Sequence, residues 1–463
     1  MTLAATIAAS VLAVLYAASP LTVLCGALAI VMCWPVVARL EGRERVWVRR
    51  VLIVTIGARF LVVGALLVAT DPNREPFLTL FPDAAYLIDR SLWIRNVWLG
   101  IPLGAHHALQ IVETYGSGSY PIMLAAIQYV LGPSPYGLAL FSAIAYVAGA
   151  LLLHRMVRAR FGAAVSTAGL AIVLAWPSLF VWSVSALKDS FQFFLTVVAV
   201  AGLFHAVRGA RWPMRAGAVI AVVAAVGVLA TLRSGAAEIA ATAIALAVLL
   251  RAMSAQHWIA VTMVIGMLAV ALIERDQVLH VVRLAANRHV GYWGSPGANY
   301  QLLPDPFYAN GQAVMTLTLF ESVRFLARAA IAFVLVPLPW NTASATALLL
   351  VPQQLCWYLL VLASIAGVIA GARRDPWLTS ILAASALAGL VVIAPNSGNV
   401  GTLVRHRDVI APFVLWLGVI GAFAAIRAMS SSVSNSLVWH ARPELVEGRA
   451  ASSLVVRQAH HER

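Results

Sequence analysis

Long apolar runs separated by short polar breaks dominate the chain. Crossing a bilayer core of about 30 Å takes roughly 17–25 apolar residues in a helix. Runs near 3–18, 20–38, 51–70, 137–153, 163–182, 186–205, 215–232, 236–250, 257–273, 347–371, 377–394 and 408–426 approach or meet that length. A membrane β-barrel would alternate in segments of about ten residues, and no such alternation is present. The pattern therefore predicts an all-α, polytopic transmembrane helical bundle of twelve spans, within a range of 10–13. Only Ser19-Pro20 parts the first two runs, which form either a tight hairpin or one interrupted element.

Two further apolar stretches, 120–132 and about 329–340, are short and punctuated by proline. Runs of this length are more often interfacial or re-entrant than spanning. Leaving both uncrossed creates two large loops on one side, 71–136 and 274–346. Loops of that size are uncommon unless they carry function. The expected organisation is a helical hairpin with a basic loop (1–50), a transmembrane domain (51–426) and a disordered tail (427–463).

Composition agrees with this pattern and narrows the chemistry. Of 463 residues, 62% are hydrophobic and 11% charged, with a mean hydropathy of +0.88. A soluble domain carries about 25% charged residues, so a soluble enzyme, a nucleic-acid binder and a disordered scaffold are excluded. The formal charge of +14 would otherwise suggest nucleic acid. In a membrane protein, basic residues mark the cytoplasmic loops instead. Arg39 to Arg50, Arg155 to Arg160, Arg208 to Arg215, Arg251, Arg373-Arg374 and Arg427 all fall on one side with both termini, if the two short stretches do not cross. Twelve of the 18 acidic residues then lie on the opposite side or its edge. Cys25, Cys33 and Cys356 sit in apolar runs and imply neither a disulfide framework nor a metal cluster.

Candidate chemistry is therefore sought in the outer loops. Asp83 follows Pro82 at the start of a segment whose Tyr86, Leu87, Trp93, Ile94, Val97 and Trp98 suggest an interfacial amphipathic helix. As an N-cap it would satisfy backbone amides, and facing a cavity it could act as a base. Lys188-Asp189 lies in a short turn between two spans, and Lys188 is the single lysine among 32 basic residues. Lysine can meet a phosphate as a point charge, or the pair can simply cap a helix. Arg233, Arg405 and Arg407 stand at the outer ends of spans, suited to gripping phosphate or to snorkelling towards anionic lipid. Arg59 lies mid-span and needs a partner; Glu238 is one option. The pairs His106-His107 and His280/His289 make no convincing metal set.

The order of features, with an acid opening the first large loop, an interfacial helix, and then a Tyr120-Pro121…Gly132 element, resembles the polyprenyl-phosphate-dependent glycosyltransferases of the GT-C superfamily. The mannosyl- and aminoarabinosyl-transferase-like membrane proteins and uncharacterised bacterial members belong to that group. His154 to Gly162, Trp176-Pro-Ser to Lys188-Asp189, Leu232-Arg233 and Gly398 to Arg407 are also similar to segments of that family, across roughly residues 51–426. The resemblance implies a sugar moved from a polyprenyl-phosphate donor to a glycan, lipid or protein acceptor at the outer face of a bacterial inner membrane. It implies Asp83 as the acid that deprotonates or orients the acceptor hydroxyl. By charge and sidedness, Lys188, Arg233, Arg405 and Arg407 would hold the donor phosphate, with Asp89, Tyr86 and Asp189 as secondary candidates. The family often has a second acid close to the first; here Asp89 is six residues on, so the sequence supports neither a divalent metal nor any other cofactor.

Two other functions fit the same setting. An O-antigen-type polymerase or ligase also gathers arginines in outer loops, whereas a transporter or flippase would favour charge at the bilayer midplane and broken helices in matching halves. Beyond about residue 430, Arg442-Pro-Glu-Leu-Val-Glu-Gly and Val456 to Arg463 resemble translated intergenic repeat DNA, consistent with a tail that has no function.

Overall fold

The computed structural model of the chain describes residues 19–71, 77–104, 107, 111, 118–340 and 345–440. Ser19 caps α1 (Pro20–Ala38), accepting a hydrogen bond from Thr22 N at 3.4 Å. Next come α2 (Gly42–Ala69), α3 (Pro82–Trp98), α4 (Ser119–Leu131) and α5 (Pro135–Phe161). Beyond Gly162 lie α6 (Ala163–Ala175), α7 (Pro177–Ser183), α8 (Asp189–Arg208), α9 (Trp212–Leu232), α10 (Ala236–Ala255) and α11 (His257–Ile273). The second large loop folds as α12 (Arg275–Trp293), α13 (Asp305–Ala309), a 3₁₀ turn (Gly311–Thr316) and α14 (Leu319–Leu335). The chain continues through α15 (Ala345–Arg374), α16 (Pro376–Ile393), the short α17 (Val400–Arg407) and α18 (Ala411–His440).

Among the described residues, nine helices are long and apolar enough to cross a membrane, or up to eleven if each of two bent pairs is one span. An all-α, multi-pass helical bundle is thus the architecture. The run at 3–18 lies outside the described residues, and α18 continues to His440, past the expected start of the tail. Burial of the spans separates the layers. In α5 and α16 it reaches 72%, against 17% in α1 and α9, so the first two form the centre and the others face lipid.

The expected span 163–182 is broken. Pro177 has no N–H to donate and biases Trp176 towards extended backbone, and α6 and α7 meet at 62°. The break leaves a carbonyl at Leu174, and Arg59 fills it. Its guanidinium donates to Leu174 O at 3.0 Å, Thr55 O at 2.9 Å and Ser183 Oγ at 2.9 Å, under the rings of Phe180 and Tyr146. Glu238 is not its partner. The mid-span arginine repairs a proline break, which sequence separation hid.

Charge is sorted by end. At one end Glu44 takes a bidentate bond from Arg158 (2.6 and 2.8 Å). There too, buried Asp375 accepts two bonds from Arg208 (2.6 and 2.9 Å) while capping α16. The large loops gather at the other end, over α17.

Candidate functional site

Three turns bring the site together. α8 begins directly after the Val184–Lys188 turn, so Asp189 sits in its first turn, where the helix dipole favours a carboxylate. Arg233 follows α9 in extended backbone, and Gly235, at φ +85°, allows the chain to reverse at once into α10. Arg405 projects from α17, whose amides at Gly401 and Thr402 are capped by Asn399 Oδ1 at 2.9 and 3.4 Å.

Asp189 lies between the two arginines. Arg233 Nη1 donates to its Oδ1 at 2.7 Å and also to Gln192 Oε1 at 3.0 Å. Arg405 Nη2 donates to its Oδ2 at 3.0 Å, while Nη1 of the same guanidinium donates to Asp83 Oδ2 at 2.5 Å. The expected convergence of Asp83, Arg233 and Arg405 is therefore present, with Asp189 at its centre. Lys188 stands at the start of α8 beside this group. Desolvation and the Arg233 charge push the imidazole of His406 down to about 3, with Arg405 and Lys188 adding to the effect against Asp189. Arg405 is held cationic because Asp189 and Asp83 outweigh its burial.

Trp182 binds this cluster to a second one. Its ring lies 5.3 Å from the Arg405 guanidinium carbon and stacks on Phe81 at 4.0 Å, at the start of the helix that carries Asp83. Its indole Nε1 donates to Asp408 Oδ2 at 2.8 Å, and Ser178 Oγ donates to Oδ1 at 2.9 Å. Gln353 on α15 donates to Ser178 Oγ at 2.8 Å. A narrow cleft of ≈ 310 Å³, open mouth included, runs between Trp182, Asp189, Arg405 and Asp408. Buried Ser190 lines it, and neither its hydroxyl nor Arg405 Nε has a hydrogen-bond partner among the described residues. Ser183 lines this cleft, and the next residue, Val184, lines an apolar crevice of ≈ 290 Å³ with Leu66, Phe77, Leu80, Ala84 and Ile88.

Burial pushes the Asp408 carboxyl up to about 7, against the Ser178 and Trp182 hydrogen bonds and the Arg407 charge. An acid whose folded pKa is raised holds its proton in the native state after the unfolded chain has lost it. Stability therefore falls as pH rises from about 4 to about 7 and is level above that. The thermal midpoint of wild type minus that of Asp408→Asn should accordingly decrease between pH 5 and pH 8; a flat difference would disprove the raised carboxyl.

Other expected site residues are placed elsewhere. Arg407 is buried and turned away from Arg405: it donates to Val336 O at 3.0 Å and Gln354 Oε1 at 2.8 Å, against the Trp357 ring. Residues two apart on a helix point to opposite sides, so pairing the arginines by sequence proximity fails. Arg405 reaches the first loop and Arg407 the second. Asp83 makes no capping bond: Phe81 holds the N-cap position of α3 without a side-chain cap, and the Asp83 carboxylate goes to Arg405. Asp89 is two-thirds of a turn around α3 from Asp83; burial raises its pKa, and His107 opposes that. Tyr86 is exposed under the guanidinium of Arg90, 5.0 Å away. Among the described residues no three His, Cys, Asp or Glu side chains are grouped to hold a metal ion.

Sequence reasoning missed the support for α17. His289, fully buried on α12, bonds Ser397 O at 2.6 Å through Nδ1 and Tyr308 Oη at 2.7 Å through Nε2. A carbonyl only accepts, so Nδ1 carries the proton and Nε2 accepts from the phenol. Tyr300 Oη donates to the same carbonyl at 2.6 Å. Gly398 fits underneath because a Cβ there would lie 2.1 Å from His289 O. This latch fixes the second loop against the chain entering α17. A lone His in a polar, glycine-rich neighbourhood was the available signal.

No protein-family model, no curated protein and no solved structure matches the chain.

Proposed function

We propose that the chain is an integral-membrane glycosyltransferase that moves a sugar from a polyprenyl-phosphate donor to a glycan, lipid or protein acceptor. The proposal places the active face outside the bacterial inner membrane, with both termini cytoplasmic. The observation that carries it is the linked set Asp83–Arg405–Asp189–Arg233, beside an apolar crevice at the loop end of a helical membrane protein. Cations next to an apolar slot suit an amphiphile with a phosphate head. In the reaction, the acceptor oxygen attacks the anomeric carbon and the sugar–phosphate C–O bond breaks. The polyprenyl phosphate leaves with the bonding electrons, and the acceptor proton passes to Asp83. Arg405, backed by Lys188 and Arg233, stabilises the charge that develops on the departing phosphate.

An acid among the arginines favours a transferase over a polymerase or ligase. Arg59 repairs a helix break, which accounts for the mid-span charge without a transport role. Reconstituted protein supplied with polyprenyl-phosphate sugars should show transfer that Asp83→Asn lowers by about 10²-fold or more. Retention of full transfer in that variant would exclude the base role. Movement of the lipid across the bilayer without sugar transfer would replace the enzyme by a flippase.

A further inference from the structure

The two carboxylates on Arg405 are unequal. Asp189 is 12% exposed and shared with Arg233; Asp83 is 65% exposed and holds Arg405 through one contact. Arg405 spends Nη1 on Asp83 and Nη2 on Asp189, and its remaining Nε is buried, so an arriving phosphate reaches the guanidinium by exchange with one of the two carboxylates. Asp189 cannot leave without stranding two half-buried arginines, which is costly. Asp83 can, because an exposed ion pair is weak and water solvates the freed carboxylate. A phosphodiester donor brings the same single charge and two free oxygens as the carboxylate it replaces, so burial of its prenyl chain in the apolar crevice tips the exchange.

We infer that Asp83 occupies the phosphate position on Arg405 at rest, and that the phosphate head of the donor displaces it, freeing the base in the same event. This deepens the glycosyltransferase reading and rests on it. The consequence is an order of binding. With no donor bound, Asp83 is engaged by Arg405 and does not activate an acceptor hydroxyl or water. Donor therefore binds before acceptor, and the donor itself switches on the base.

The test is the direction of an affinity change. Purified protein in detergent is titrated with farnesyl phosphate, with farnesol as the uncharged control. Asp83→Asn removes the internal competitor, so farnesyl phosphate should bind about 2- to 5-fold more tightly, the range that the strength of an exposed ion pair sets. Asp83→Glu keeps the competitor and should bind as wild type does. Arg405→Ala should lose the preference for farnesyl phosphate over farnesol. Asp83→Ser substitutes for Asn if the asparagine variant misfolds, and an unchanged thermal midpoint confirms the fold.

Weaker or equal binding by the neutral variants overturns the exchange, since a merely structural Asp83 would hold Arg405 in place and its loss would lower affinity. Failure of farnesyl phosphate to bind any form overturns it as well. Tighter binding without sugar transfer by wild type leaves the exchange standing and removes the transferase; transfer without tighter binding does the reverse.

Discussion

Asp189→Ala is expected to destabilise the protein by about 3–5 kcal/mol, the cost of removing one partner from a buried ion pair and leaving charge behind. Here a single carboxylate answers two guanidinium groups, Arg233 at 2.7 Å and Arg405 at 3.0 Å, but the three side chains keep 12–18% exposure, so the loss lies at the lower end of that range. Arg405 retains Asp83, which is largely exposed and compensates little. Arg233 keeps only the neutral Gln192. Removing the orphaned charge should restore part of the loss, so Arg233→Met in the Asp189→Ala background is expected to be more stable than the single variant. Thermal unfolding of the purified protein in detergent measures both. A change in midpoint no larger than that of a surface substitution, or a double variant worse than the sum of the singles, would refute a central role for Asp189.

The spans were legible because burial in lipid demands long apolar runs, and this holds whatever the tertiary packing. Sidedness made part of the site legible too. Asp83 lies in an outer loop, and Arg233 and Arg405 flank spans on the same side, where a charge has few places to go. The contacts themselves were hidden: Arg405 and Asp83 are 322 residues apart, and only folding makes them neighbours. That separation is also why Asp189 ranked as a secondary residue when it is the hub. Arg407 was misjudged for the opposite reason, since closeness in sequence was taken for closeness in space. Trp182 and Asp408 lay in view, yet the hydrogen bond between them needed the α6–α7 break at Pro177, which reads in sequence as one continuous span.

A second large loss of folding stability is expected away from the site, at Gly421, where α15 and α18 cross with their backbones touching. A Cβ on Gly421 would lie 1.9 Å from Ala363 O, and one on Gly367 opposite would lie 1.9 Å from Leu417 O. Lipid offers little hydrophobic reward for helix association, so membrane helices gain by close packing through small residues. Neither helix can yield locally, because the obstructing atoms are carbonyls already fixed in the helices. Gly421→Leu must therefore push the two helices apart along their contact, at or above the roughly 1–3 kcal/mol typical of overpacking. The same displacement reaches the site, since Gln353 on α15 holds Ser178, and Ser178 holds Asp408 three residues before α18. Gly217 on α9 provides the control, because nothing lies within 4 Å of a Cβ placed there. Gly421→Leu should lower the thermal midpoint and the yield of monodisperse protein, whereas Gly217→Leu should leave both as in wild type. Equal behaviour of the two variants would mean that the crossing is looser than its geometry and does not hold the site together.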